Sequence, residues 1–314
     1  MQASKKWTFF LRVLCTLLVG KCACAKLSAQ NIDAPRFFEF NLQSLSSTTT
    51  PVFGANPVIA QNYVEPNYLF EASLRFPVKL HGQTRLFGQI DVEQESMFGF
   101  WEAAESEVED IHLYQNQLSF ILMHDFNKET RLYSTFRAGT GSSQALDFRV
   151  GAHSFSQVTL LEKRNDRRKW GVGLALSYQN RFSFLPVLRY EGPLAGKWNL
   201  DVLLPARILI NRKLNNSSRL FAGIRGSSAT YLVGDNAVVS DLYSNTTYRR
   251  LDVRAVFGFE RQITPWVGLR GELGANIPYR AGLYDLENPR TQIHDFGQRV
   301  MPHANFGFFL SLPK

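Results

Sequence analysis

Beyond residue 25 the sequence contains no cysteine: Cys15, Cys22 and Cys24 all fall before it. Disulfides and thiolate metal sites therefore have no part in holding the remainder together. The same stretch lacks any apolar run near the ~20 residues that a membrane-spanning helix needs. It has little excess charge. The chain carries +8, but Lys5, Lys6, Arg12 and Lys21 stand in the first 25 residues with no acid, leaving +4. With no clustered basic face bearing stacking aromatics, nucleic acid is not an expected partner. Gly-rich phosphate loops and paired-histidine metal sites are missing too, and Gly171-x-Gly173 reads as strand glycines that let neighbours approach. No cofactor is expected.

What the chain does have is a leader. Lys5 and Lys6 precede an apolar stretch, Trp7 to Gly20, interrupted by Arg12, and Ala23-Cys24-Ala25 supplies small residues for cleavage. Residues 1–25 are expected to be a signal peptide, with a second cleavage point after Ala29. Lys21, directly before Cys22, argues against lipid attachment. A protein exported this way without spanning helices either stays soluble or closes its backbone hydrogen bonds in a membrane barrel.

Period-two alternation recurs along the rest of the chain. Leu251, Val253, Ala255, Phe257 and Phe259 share one face. Asp252, Arg254, Gly258 and Glu260 share the other, with Val256 the apolar exception. Val267, Leu269, Leu273, Ala275 and Ile277 oppose Arg270, Glu272 and Asn276, and residues 68–76, 170–178 and 198–204 repeat the pattern. Further strands are expected at 37–43, 84–92, 117–123, 131–138, 146–152, 156–163, 182–190, 219–232 and 303–312.

Alternation alone does not separate a soluble sandwich from a membrane barrel. Three features favour the barrel. Aromatics gather near strand ends (Tyr68, Phe76, Trp170, Tyr178, Trp198, Phe259, Trp266), where headgroup-level girdles place them. Most strands are longer than the five or six residues usual in soluble proteins. Short links at 81–83, 124–130, 179–181, 215–218 and 264–265 contrast with long ones at 44–66, 94–115, 234–248 and 279–302, as short periplasmic turns contrast with outer loops. The expected fold is an all-β, transmembrane, antiparallel up-and-down β-barrel spanning 37–314. Counting 37–43 and 146–152 as strands gives about fourteen and puts every long loop on one side. Twelve and sixteen remain compatible. The final strand, Asn305 to Leu312, is similar to the terminal signal read by the outer-membrane barrel insertion machinery, although Leu310 stands in place of an aromatic and Pro313-Lys314 follow.

The stretches 170–192 (WGVGLALSYQNRFSFLPVLRYEG), 198–223 (WNLDVLLPARILINRKLNNSSRLFAG) and 249–279 together resemble an uncharacterised family of bacterial outer-membrane β-barrel proteins, a domain of unknown function. The resemblance covers most of the chain after about residue 55. It implies a barrel in the outer membrane and supplies no site residues.

The polar strand face would line the interior with Glu71, Arg75, Arg85, Asp91, Arg131, Arg137, Asp252, Arg254, Glu260, Arg270 and Glu272. These either pair across the lumen and plug it or face one another over water as a charged constriction. Other clusters carry less. The histidines His81, His112, His124, His153, His294 and His303 match no hydrolase motif, and His153, Ser154 and Ser156 fall at an expected periplasmic turn. The acids Glu102, Glu105, Glu107, Glu109 and Asp110 lack the spacing of a calcium loop. The basic run Lys163, Arg164, Arg167, Arg168 and Lys169 falls at an expected outer loop, within reach of lipopolysaccharide phosphates. The leading expectation is therefore a non-enzymatic outer-membrane protein, either a passive porin-like channel or a structural barrel. The alternatives are a barrel enzyme or transporter acting on lipidic substrates, marked by a serine and histidine close together at the outer rim, and a soluble periplasmic β-sandwich.

Overall fold

A computed structural model describes residues 36–45, 67–80, 82–102, 108–142, 152–165, 167–178, 182–232, 246–285, 291–295 and 300–311. The leader, with its cysteines, lies outside them. The described residues form fifteen strands: β1 (Arg36–Leu45), β2 (Asn67–Lys79), β3 (Thr84–Glu102), β4 (Val108–Asp125), β5 (Thr130–Ser142), β6 (Ala152–Arg164), β7 (Lys169–Tyr178), β8 (Phe182–Ala195), β9 (Trp198–Leu204), β10 (Arg207–Asn215), β11 (Ser218–Leu232), β12 (Thr246–Gln262), β13 (Val267–Asp285), β14 (Gln292–Asp295) and β15 (Met301–Ser311).

Each strand from β1 to β13 pairs antiparallel with the next, and β15 pairs with both β13 and β1. That closes a barrel of fourteen strands, with β14 a short addition beside β13. Closure leaves no unpaired edge in the ring. No helix among the described residues is long and apolar enough to cross a membrane.

The alternation separates inside from outside as read. On β12, Asp252, Arg254, Val256 and Glu260 are buried, while Phe257 and Phe259 on the other face are 57% and 38% exposed. The outward face continues around the ring through Leu74, Ile90, Phe120, Phe136, Trp170, Phe184, Ile224, Leu273 and Phe306, all exposed. Where β1 meets β2 and β15, the outside is an aromatic seam. Phe40 lies 4.8 Å from Phe70 edge-on and 5.1 Å from Phe308 in a stack.

Connections at one end are short, at 80–83, 126–129, 165–168, 196–197, 216–217 and 263–266. Local hydrogen bonds explain why these turns are tight. Asn127 Oδ1 accepts the N–H groups of Glu129 and Thr130 (2.9 and 2.8 Å), and Asn165 Oδ1 those of Arg167 and Arg168 (3.1 and 2.7 Å). Asn215 Oδ1 and Thr264 Oγ1 do the same in their turns, and Gly196 supplies a φ of 56° where the chain reverses within two residues. The intervals 46–66, 143–151, 233–245 and 286–300 all lie at the opposite end.

Several expectations change. β10 was not anticipated: Ile208-Leu209-Ile210 is apolar on both faces, because Leu209 points inward onto Phe221 and Val256, so the period is hidden. The expected strand at 146–152 lies outside the described residues except for Ala152, which opens β6. The count of fourteen therefore stands on a different set of strands. Between these two positions the ends are exchanged relative to the sequence reading: the 179–181 link belongs to the end with the long intervals, and the 165–168 turn to the short end. The stretch 94–115 is mainly strand, because β3 and β4 run on to Glu102 and from Val108.

Candidate functional site: the charged lumen

The face that carries Arg254 and Glu260 is interior because its partners come from strands that are not neighbours in the ring. Tyr231 of β11 donates from its hydroxyl to Glu93 Oε1 of β3 (2.8 Å), and Arg36 of β1 reaches Glu260 Oε2 of β12 (2.7 Å). All eleven predicted interior charges lie on this inward face by register; ten fall into four groups and Arg137 stands alone.

The largest group unites Glu260, Arg270 and Glu272 near the short-turn end. Glu260 receives Arg36 and Arg219, with Arg270 at 3.7 Å. Glu272 receives Arg270 at 2.7 Å and Arg225 at 3.0 Å, and His303 Nε2 lies 3.1 Å from its other oxygen. Glu39 stands 3.5 Å from Arg270. Beside this lattice lies a cavity of about 400 Å³, lined on its charged sides by Arg36, Arg207, Arg219, Arg225 and Arg270 against Glu39, Asp201 and Glu260. Five guanidinium groups and three carboxylates line it, and Glu272 beside it holds two of the five, Arg225 and Arg270. Leu209, Phe221 and Val256 pack as a small apolar knot within the lumen, which is why Val256 breaks the alternation. Glycine makes room for the knot: the Phe221 ring covers the place where a Cβ of Gly258 would stand.

A second group joins Asp252 and Arg254 toward the long-interval end. Arg250 binds Asp252 and lies 3.2 Å from Glu95 and 3.8 Å from Glu93, and Arg254 donates to Gln43 and, at 3.2 Å, to Ser227. Glu71 sits directly opposite Glu93 in the β2–β3 register. Glu95 and Asp252 are wholly buried, and a buried carboxylate is tolerated only with a cation beside it. Arg250 is that cation. At this end the opposite walls touch. Leu232 of β11 pairs with Ser142 of β5, and a Cβ on Gly141 would strike the Thr230 carbonyl.

The remaining predicted charges stand apart from these two. Arg85 and Arg131 converge on Asp125 at 2.6 Å each, with Arg164 at 3.4 Å. Arg75 reaches Asp91 through Gln89, which accepts at 2.7 and 2.9 Å and donates at 2.8 Å. Arg137 bonds only Ser119 among the described contacts (3.2 Å).

Sequence reasoning missed Arg36, Glu39, Arg219 and Arg225, although the alternation of β1 and β11 carried the signal. It missed Glu93, Glu95 and Arg250 because they lie in or beside stretches read as loops.

The other clusters resolve differently. His153, Ser154 and Ser156 lie on β6 toward the long-interval end, not at a short turn. His112 Nδ1 lies 3.0 Å from Ser96 Oγ on the outward face. A hydrolase base presents Nε2 to its serine while a third group orients Nδ1. Here Nδ1 is spent on the serine, and among the described residues no third side chain orients the ring. No described group of acids and histidines could hold a metal ion. Of the acidic run, Glu105 and Glu107 lie outside the described residues. The basic run sits at the short-turn end, on the 165–168 turn.

No family model and no curated protein matches the sequence. Among solved structures, a bacterial polysaccharide outer membrane secretin aligns at 12% identity and a TM-score of 0.36, covering 89% of this chain and 100% of that one. Outer membrane phospholipase A from Escherichia coli aligns at 12% identity and 0.36, covering 90% and 94%. A mutant of the Rh. blastica porin aligns at 6% identity and 0.27, covering 88% and 99%. The barrel assignment rests on the chain's own closed strand ladder.

Proposed function

We propose that the chain crosses the outer membrane as a non-enzymatic barrel whose lumen is a narrow, charged passage for small solutes, anions before cations. The observation that supports this is the lumen itself: cross-braced by ion pairs, yet retaining an arginine-rich cavity of about 400 Å³. A wide pore would leave its wall charges facing water; here they bind one another from strand to strand. The belt of exposed apolar side chains around the outside suits hydrocarbon and would be costly in water. In this reading residues 1–25 direct export, the insertion machinery engages the last strand, and the short turns face the periplasm.

A sealed structural barrel is the second reading, and the contact between β5 and β11 favours it. Planar-bilayer recording separates the two. The passage should give small conductance steps and, in a salt gradient, a reversal potential of the sign set by chloride. Silent insertion would leave the structural barrel, and large porin-sized steps would overturn both. Full solubility without detergent, with no change in gel mobility on boiling, would remove the barrel from the membrane altogether.

A further inference from the structure

The basic run 163–169 finds no use in the lumen, and the fold divides it. Arg164 and Lys169 turn inward, to Asp125 and Glu191. Lys163, Arg167 and Arg168 stay exposed and take part in no ion pair among the described residues. Their surroundings change in layers. Leu161 and Val172 are paired across β6 and β7 on the outer face and are 47% and 50% exposed. Two residues nearer the turn, Lys163 is paired with Trp170, itself 50% exposed. Past them comes the turn with Arg167 and Arg168. Apolar, amphipathic and cationic rows thus succeed one another within about 7 Å per row of strand rise, the profile of a membrane-water boundary.

The neighbouring turn extends the patch. Arg164 donates from its backbone to the Glu129 carbonyl (2.7 Å) and from Nε to the Lys128 carbonyl (3.1 Å), which fixes Lys128 and the exposed Phe126 beside the run. The rest of the rim has the same sign. Lys79, Lys197 and Arg261 are exposed there as well, whereas Glu129 is the one exposed acid described in these turns.

We infer that this rim, centred on Lys163, Arg167, Arg168 and Trp170, binds the phosphate headgroups of anionic glycerophospholipids in the leaflet that faces the short turns. The inference rests on the membrane reading above. Charge complementarity selects the occupant: three exposed cations, none of them in an ion pair among the described residues, stand at the depth where Trp170 marks the boundary. Lipopolysaccharide phosphates, facing the other end, are out of reach.

The test uses the protein reconstituted in vesicles of phosphatidylcholine and phosphatidylglycerol, with one or the other lipid brominated to quench tryptophan. Trp170→Phe identifies the Trp170 component. Brominated phosphatidylglycerol should quench that component with a preference on the order of fivefold, since each basic residue near the surface adds attraction. The preference should shrink at high salt, vanish in Lys163→Gln/Arg167→Gln/Arg168→Gln, and persist in Lys163→Arg/Arg167→Lys/Arg168→Lys. Unchanged heat-dependent gel mobility would show that both variants fold. Equal quenching by the two lipids, or a preference that survives the glutamine variant, would overturn the inference alone. No quenching by either lipid would overturn the membrane reading.

Discussion

The barrel's tall arc, β11 to β13 continued past β15 and β1 by β3 and β4, and its short arc, β7 to β10, are built differently. β3 and β13 run for 19 residues and β12 for 17, whereas β9 has 7 and β10 has 9. About 9 to 11 residues suffice for a tilted strand to cross a bilayer, so the tall arc stands well beyond the apolar belt. Its extra rows hold the buried cluster around Arg250, and they lean across to meet β5. Within the short arc, the inner face of β7 carries Gly171, Gly173, Ala175 and Ser177 instead of charge. Its ion pair Lys169–Glu191 is 43% and 39% exposed. Height beyond the apolar belt thus comes with polar filling, because there opposite walls are joined by specific pairs.

Three matched pairs of substitutions put this contrast to the test, each read as the urea midpoint of the folded barrel in micelles. Arg250→Met strands Glu95 and Asp252 and should cost about 3–5 kcal/mol, whereas Lys169→Gln should cost less than about 1 kcal/mol. Equal losses would mean that the tall arc's network is ornamental. Next, Phe221→Ala empties the knot under Leu209 and Val256, a loss of about 3 kcal/mol. Leu185→Ala, whose side chain is already 47% exposed, should cost below about 1 kcal/mol. A larger effect at Leu185 would show that the short arc is packed after all.

The smallest pair compares one change in two settings. A Cβ at Gly173 would strike the Thr159 carbonyl of the adjacent strand, while at Gly271 it meets nothing within 4 Å. Gly173→Ala is expected to lose about 1–3 kcal/mol, and Gly271→Ala to stay within about 0.5 kcal/mol of the parent. Tolerance at Gly173 would show that the β6–β7 ladder shifts freely, against the close approach seen there.

How much of this was legible depended on the arc. Where one face is apolar and the other charged, as along β12 and the first half of β13, period two revealed both the strand and its inward residues. The tall extensions gave no such contrast, since 94–102 and 108–115 mix polar and apolar residues on both faces, and they passed for a loop. β10 failed for the opposite reason, being apolar on both faces at Ile208, Leu209 and Ile210. Alternation also tells which way Glu260 points but not whom it meets: Arg36 lies 224 residues away in sequence. The interior was readable as a list of charges, and their pairing only from the closed ring.

The double pairing of β15, with β13 on one side and β1 on the other, makes that strand a clasp. Its contact with β1 links the two extremes of the ladder, the most distant pairing in the molecule and one that folds slowly on loop-closure grounds. Until it forms, β1 and β15 each offer a bare row of amide and carbonyl groups to any passing chain. The stacked phenylalanines outside this seam and the Arg36–Glu260 bridge inside it then act as two latches on a single door, one on the apolar outer face and one in the polar interior.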